Sequence, residues 1–84
     1  MKLMIEIEDE INTVDVKDIY SEILSHVTLA ATKGSRLVKI WFMDDSFKFS
    51  HVKPIVDKLS KQLTFMQVEA EGSSLIKTHI CVTW

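Results

Sequence analysis

The fold is decided by residues 16–43, which read VKDIYSEILSHVTLAATKG over 16–34 and, after Ser35, RLVKIWFM over 36–43. In the first part, apolar side chains recur at the three- and four-residue spacing of a helix with one buried face. These positions are Ile19, Tyr20, Ile23, Leu24, Val27, Ala30 and Ala31. Lys33-Gly34 supplies a basic last turn and a glycine stop, and the second part is rich in strand-forming residues. We therefore expect a helix near 15–33 followed by a strand over 36–43.

The flanking segments predict four further elements. Residues 2–8 alternate apolar and polar, as a half-buried strand does, and Asp9-Glu10 ends it, so Thr13 or Asp15 is placed to cap the helix. An apolar stripe over 50–63 predicts a second helix, and 65–71 and 75–84 alternate again on either side of a turn that contains Gly72. The predicted order is strand, helix, strand, helix, strand, strand.

This order predicts an α/β fold, an α+β-like two-layer sandwich in which both helices cover one face of a mixed four-stranded sheet. Helical crossovers would make the first three strands parallel and the hairpin would make the fourth antiparallel. With 84 residues, we expect one domain spanning 1–84. The order is similar to that of Alba-type chromatin proteins, Smr-type domains and the C-terminal domain of a translation initiation factor. The His-Gly and basic-hairpin motifs of those families are absent, and element order alone implies no function.

Charge and cysteine usage narrow the function classes. Twelve acids against ten bases give a net charge of −2, which disfavours a dedicated nucleic-acid binder. The acids concentrate in residues 1–22, whereas residues 23–84 hold five acids and eight bases, so a basic patch is still open. A single cysteine, Cys81, no signal-like stretch and no long apolar run together favour a cytoplasmic protein with no membrane span.

Strand alternation also predicts which side chains point away from the helices. We call the sheet surface turned away from the helices the open face. A tryptophan and methionines among charged residues resemble the apolar anchors and polar rim of a protein interface. The predicted partner-binding residues are Met4, Glu6, Lys39, Trp41, Met43, Phe65, Lys77 and His79. The alternative is that Glu6–Lys39 and Glu69–Lys77 are ordinary cross-strand pairs and the apolar residues are isolated exposures.

Two places in the sequence carry side chains capable of catalysis or metal binding. His79 and Cys81 share a strand face, but as same-face neighbours they stand roughly 6.5–7 Å apart, too far for a catalytic pair. A metal there needs further ligands, and Glu69 with Gln67 makes a poor zinc set. Asp44-Asp45 could begin a magnesium or phosphate site, although a turn that satisfies backbone donors explains them more simply. We therefore expect no enzyme activity, no metal and no cofactor.

Two functions remain. The first is a small non-enzymatic interaction module, an adaptor, inhibitor or regulator, that binds a protein or itself as a homodimer through the open face or an edge strand. The alternative is a nucleic-acid-binding domain with Trp41 as a stacking platform. Its basic set would be Lys33, Arg36, Lys39, Lys48, Lys53, Lys58, Lys61 and Lys77.

Overall fold

A computed structural model describes residues 1–43, 49–64, 66–72 and 78–84, apart from the side chain of Phe49. The described part of the chain is α+β, with two helices and a five-stranded antiparallel sheet. The elements are β1 (Lys2–Ile7), β2 (Glu10–Asp15), α1 (Ile19–Thr32), β3 (Leu37–Phe42), α2 (Phe49–Gln62), β4 (Gln67–Glu71) and β5 (His79–Thr83). The predicted class and both helices are confirmed. The strand starts predicted at Phe65 and Leu75 lie outside the described residues.

The predicted four-stranded mixed sheet is wrong, because Glu10–Asp15 forms an additional strand where we predicted a break and a helix cap. Ile7 pairs with Glu10, so the chain reverses through the two residues Glu8 and Asp9. Glu8 adopts a φ of 55°, a left-handed conformation uncommon outside glycine, and its Oε1 accepts a 2.7 Å hydrogen bond from Ser35 Oγ. The sequence did not predict this strand, because almost all of its residues are exposed and they therefore show no alternation of apolar and polar side chains.

The additional strand also changes the strand directions. The sheet order is β2-β1-β3-β5-β4, and every neighbouring pair is antiparallel. The prediction that the first three strands are parallel is therefore wrong, since β2 turns the chain round before α1 begins. Each helix now connects two parallel strands that lie two places apart, with an antiparallel strand between them. The predicted element order, and the family likeness that depended on it, do not describe this sheet.

Helix α1 begins later than predicted because Asp18, rather than Thr13 or Asp15, caps it. Asp18 Oδ1 accepts hydrogen bonds from the backbone N–H groups of Tyr20 and Ser21, and Oδ2 accepts one from Ser21 Oγ at 2.8 Å. These bonds, led by the one from the Ser21 hydroxyl, lower the pKa of Asp18. The predicted stop is confirmed, because α1 ends at Thr32 and Gly34 takes a left-handed φ of 83°.

The core lies between the helices and one face of the sheet. Strands β1 and β3 both show the strict alternation that was predicted, with Leu3, Ile5, Val38 and Ile40 at 0% exposure. Both helices pack into this single core, which also contains Ile23, Val27 and Ala30 of α1, Val52, Ile55 and Leu59 of α2, and Ile80 and Val82 of β5. Neither helix is long and apolar enough to cross a membrane.

Candidate interaction surfaces

Strand pairing arranges the open face in rows that run across the sheet. One row consists of Thr13, Met4, Trp41, His79 and Glu71. The next consists of Ile11, Glu6, Lys39, Cys81 and Glu69. Three predicted site residues thus share the first row, and Glu6 lies directly opposite Lys39 in the second, as the cross-strand reading expected. Met43 follows β3, whereas Phe65, Lys77 and the Asp44-Asp45 pair fall outside the described residues.

Trp41 exposes less of its side chain than an unpacked interface anchor would. Its ring stacks on His79 with the ring centroids 4.0 Å apart and an interplanar angle of 26°. Trp41 is half-buried in consequence, and His79 beneath it is only 3% exposed despite lying on the open face. Trp41 Nε1 is buried and has no hydrogen-bond partner within the described part of the chain. The Trp41–His79 stack therefore behaves as a packed unit on the sheet.

His79 also contacts an acid that sequence reasoning did not consider. His79 Nε2 lies 3.2 Å from Glu71 Oε2, because the β4–β5 register places these residues opposite each other. Cys81, two residues along the same face, completes a cluster in which one ligand atom from each residue lies within 4.8 Å of the others. Burial, reinforced by Glu71, raises the pKa of the Cys81 thiol. Of the expected neighbours, Glu69 lies opposite Cys81 and Gln67 opposite Thr83, so neither is paired with His79.

Among the described residues, the exposed apolar side chains of the open face lie in separate rows of the sheet. Ile11 is 55% exposed, Leu37 40% and Met43 37%. Ile11 and Leu37 were not among the predicted site residues. Ile11 was missed because it belongs to β2, the strand that the sequence did not predict. Together with the half-buried Met4, they give the open face a dispersed apolar character rather than one compact patch.

The basic residues of the nucleic-acid hypothesis are spread over several surfaces. Lys33 follows α1 and binds Glu10, with Nζ 3.2 Å from Oε2, and Lys58 Nζ lies 3.9 Å from the centroid of the Tyr20 ring. Lys53 and Lys61 also lie on α2. Within the described ranges, Lys39 alone of this basic set projects from the same face as Trp41. Lys48 and Lys77 lie outside those ranges.

A groove opens along the β4 edge of the sheet. We call it the edge groove; it has a volume of about 360 Å³ and is lined by Lys53, Val56, Val68, Glu69 and Ala70. Val68 and Ala70 face the core but are only half-buried, whereas their cross-strand partners Val82 and Ile80 are at 0% exposure. Among the described residues, the core is therefore less completely covered at β4 than at β5.

The edge groove could not be found from sequence, because its walls come from α2 and from whichever strand ends the sheet. Val68 and Ala70 gave the one available signal, two small apolar residues alternating with Gln67, Glu69 and Glu71. With the strand order unknown, the same pattern fitted an interior strand equally well. Comparison with protein-family models, with curated proteins and with solved structures finds no match to this chain.

Proposed function

We propose that this domain is a non-enzymatic interaction module that binds an extended segment of a partner protein along the outer edge of β4. The observation that carries the proposal is that the core is less completely covered at this edge than at β5. Val68 and Ala70 stay half-buried beside a groove of about 360 Å³ under α2. A sixth strand laid beside β4 would extend the core-facing layer over these side chains.

Strand addition suits the chemistry of an edge strand. β4 is hydrogen-bonded to β5 on one side and ends the sheet on the other. A guest strand would pair with the backbone groups on that outer side, and its alternate side chains would enter the edge groove. Backbone pairing supplies affinity in this mode, whereas the groove selects the side chains.

The two faces of β4 specify the guest. Towards the helices, Val56, Val68 and Ala70 leave room for small or medium apolar side chains. Towards the open face, Glu69 and Glu71 are both exposed. Opposite charges stabilise directly paired strands, so the guest should carry basic residues at the alternate positions. The proposed partner segment is therefore extended and alternates apolar with basic residues.

The test is a selection of random nine-residue peptides against the wild-type domain, followed by affinity measurement on the selected peptides. We expect selected peptides to alternate apolar and basic residues. Ala70→Phe would fill the groove with a side chain of the domain itself. Losing the burial of one apolar guest side chain, worth about 1.5–3 kcal/mol, should weaken these peptides about 10- to 100-fold.

The control is Ile11→Ser, which removes an exposed apolar side chain from the open face and leaves the edge groove intact. Peptide affinity should then be unchanged. Selected peptides without alternation, or peptides that bind Ala70→Phe as tightly as the wild type, would contradict strand addition at β4.

The open face supports a second candidate, self-association as a homodimer. The observation in its favour is that Ile11, Leu37 and Met43 are each more than a third exposed there, around the opposed charges of Glu6 and Lys39. A two-fold axis could pair Glu6 of one copy with Lys39 of the other. This candidate makes the reverse prediction: Ile11→Ser weakens association measured by sedimentation, whereas Ala70→Phe does not.

A further inference from the structure

We propose that Glu71, His79 and Cys81 form a binding site for a zinc-class divalent transition-metal ion at the β4–β5 end of the open face. The three residues lie on neighbouring strands, and one oxygen, one nitrogen and one sulfur atom lie within 4.8 Å of one another. This site lies on the open face and shares Glu71 with the proposed guest-strand pairing, but it does not rest on the proposed function.

The donor set selects the class of metal. Imidazole nitrogen and thiolate sulfur bind Zn²⁺ and its neighbours in the first transition series, whereas Mg²⁺ and Ca²⁺ take oxygen ligands. Ligands about 2.0–2.3 Å from a tetrahedral metal stand about 3.3–3.8 Å from each other. The observed separations therefore need only small side-chain rotations, and Glu71, whose side chain is 58% exposed, is free to make the largest. Three protein ligands leave a fourth position for water.

The central ligand is already held in place. The side chain of His79 is 4% exposed, its ring is stacked under Trp41, and its Nε2 points towards Glu71 at 3.2 Å. A fixed imidazole loses little conformational entropy when it binds a metal, and packing around a ligand is a typical feature of metal sites. The sequence hypothesis of no metal site considered Glu69 and Gln67, but the observed register supplies Glu71.

The protonation change upon binding can be stated atom by atom. Burial and the neighbouring Glu71 raise the pKa of Cys81 and so favour its protonated thiol in the free site. The S–H bond breaks as the S–metal bond forms, and the proton passes to the buffer. No electrons are transferred. The Glu71 carboxylate and the new thiolate together offset the two positive charges of the ion.

The experiment titrates the 84-residue chain with CoCl₂ and then displaces Co²⁺ with ZnCl₂. We expect one equivalent of Co²⁺ to bind, with a thiolate-to-cobalt charge-transfer band. The tryptophan emission, to which Trp41 and Trp84 both contribute, should be partly quenched because the Trp41 ring stacks on the ligand His79. Zn²⁺ should abolish the band and restore the emission. Binding without the band, or without change in tryptophan emission, would overturn the proposal.

Two variants identify the ligands and leave the buried histidine itself in place. Glu71→Gln should weaken Co²⁺ affinity about 10- to 100-fold, and Cys81→Ser should remove the band. The matched control is Glu69→Gln, which deletes another exposed acid on the same face of the same strand, opposite Cys81 but outside the three-residue cluster. Its affinity should stay within threefold of the wild type. If Glu69→Gln and Glu71→Gln weakened Co²⁺ binding equally, the ion would be held by the general attraction of surface acids, and the proposed site would be wrong.

These outcomes separate the metal site from the proposed function. Metal titration requires no peptide, and peptide binding at the edge groove is measured in the presence of a chelator. Ala70→Phe should therefore weaken peptide binding and leave Co²⁺ binding unchanged. Cys81→Ser should weaken Co²⁺ binding and leave peptide binding unchanged.

Discussion

The two edges of the sheet are built differently. At β2 the core-facing positions are Glu10, Asn12 and Val14, and the first two are exposed. At β4 the core-facing positions are Val68 and Ala70, which are half-buried beside the edge groove. The core-facing positions of β2 are mostly polar, whereas those of β4 are apolar.

Polar residues at core-facing positions discourage a further strand from joining a sheet, because the guest would have to desolvate them. β2 therefore carries its own protection against edge pairing. β4 keeps exposed acids on the open face but offers apolar surface beneath α2. A short chain can therefore end its sheet with polar core-facing residues at one edge and with an apolar groove at the other.

The largest effect should come from comparing β4 with the strand next to it. Ile80→Ala in β5 removes a side chain at 0% exposure and should cost about 2–5 kcal/mol of unfolding free energy. Val68→Ala in β4 should cost less than about 1.5 kcal/mol, since a fully buried valine contributes about 1.5–3 kcal/mol. Urea unfolding monitored by circular dichroism measures both. Equal losses would show that the core at β4 is as complete as at β5.

A smaller effect should follow from removing the protection of β2. Asn12 lies opposite the buried Ile5, so Asn12→Val places an apolar side chain on the core-facing side of an exposed edge. We expect the association constant in sedimentation equilibrium to rise about tenfold, equivalent to about 1.4 kcal/mol. Thr13→Val, on the open face of the same strand, is the matched control and should have less effect. An increase of the same size in the control would attribute association to strand propensity rather than to the edge.

These contrasts also show how far the sequence could predict the molecule. Helix α1, the faces of β1 and β3 and the class of the fold follow from strong apolar periodicity. β2 could not be predicted, because a strand exposed on both faces has no periodicity to detect. Strand order depends on pairing between distant segments, which local sequence patterns do not predict. The pairing of Glu71 with His79 and the edge groove both depend on strand order, so neither could be predicted. Trp41 was assigned to the correct face, but its stacking on His79 depends on the β3–β5 register.

The smallest effect concerns the ion pair that joins β2 to the end of α1. Lys33 Nζ lies 3.2 Å from Glu10 Oε2, with the side chains 46% and 69% exposed. Water and salt screen such a pair, so Lys33→Ala should change the unfolding free energy by less than about 0.5 kcal/mol.

If Glu10 protects the edge because its carboxylate is costly to desolvate, that protection should survive the loss of its partner. Lys33→Ala should therefore associate no more than the wild type in sedimentation equilibrium, whereas Glu10→Val should associate more. A double-mutant cycle with Glu10→Ala measures the pair directly, and a coupling above about 1 kcal/mol would show that this ion pair stabilises the edge rather than merely accompanying its polar character.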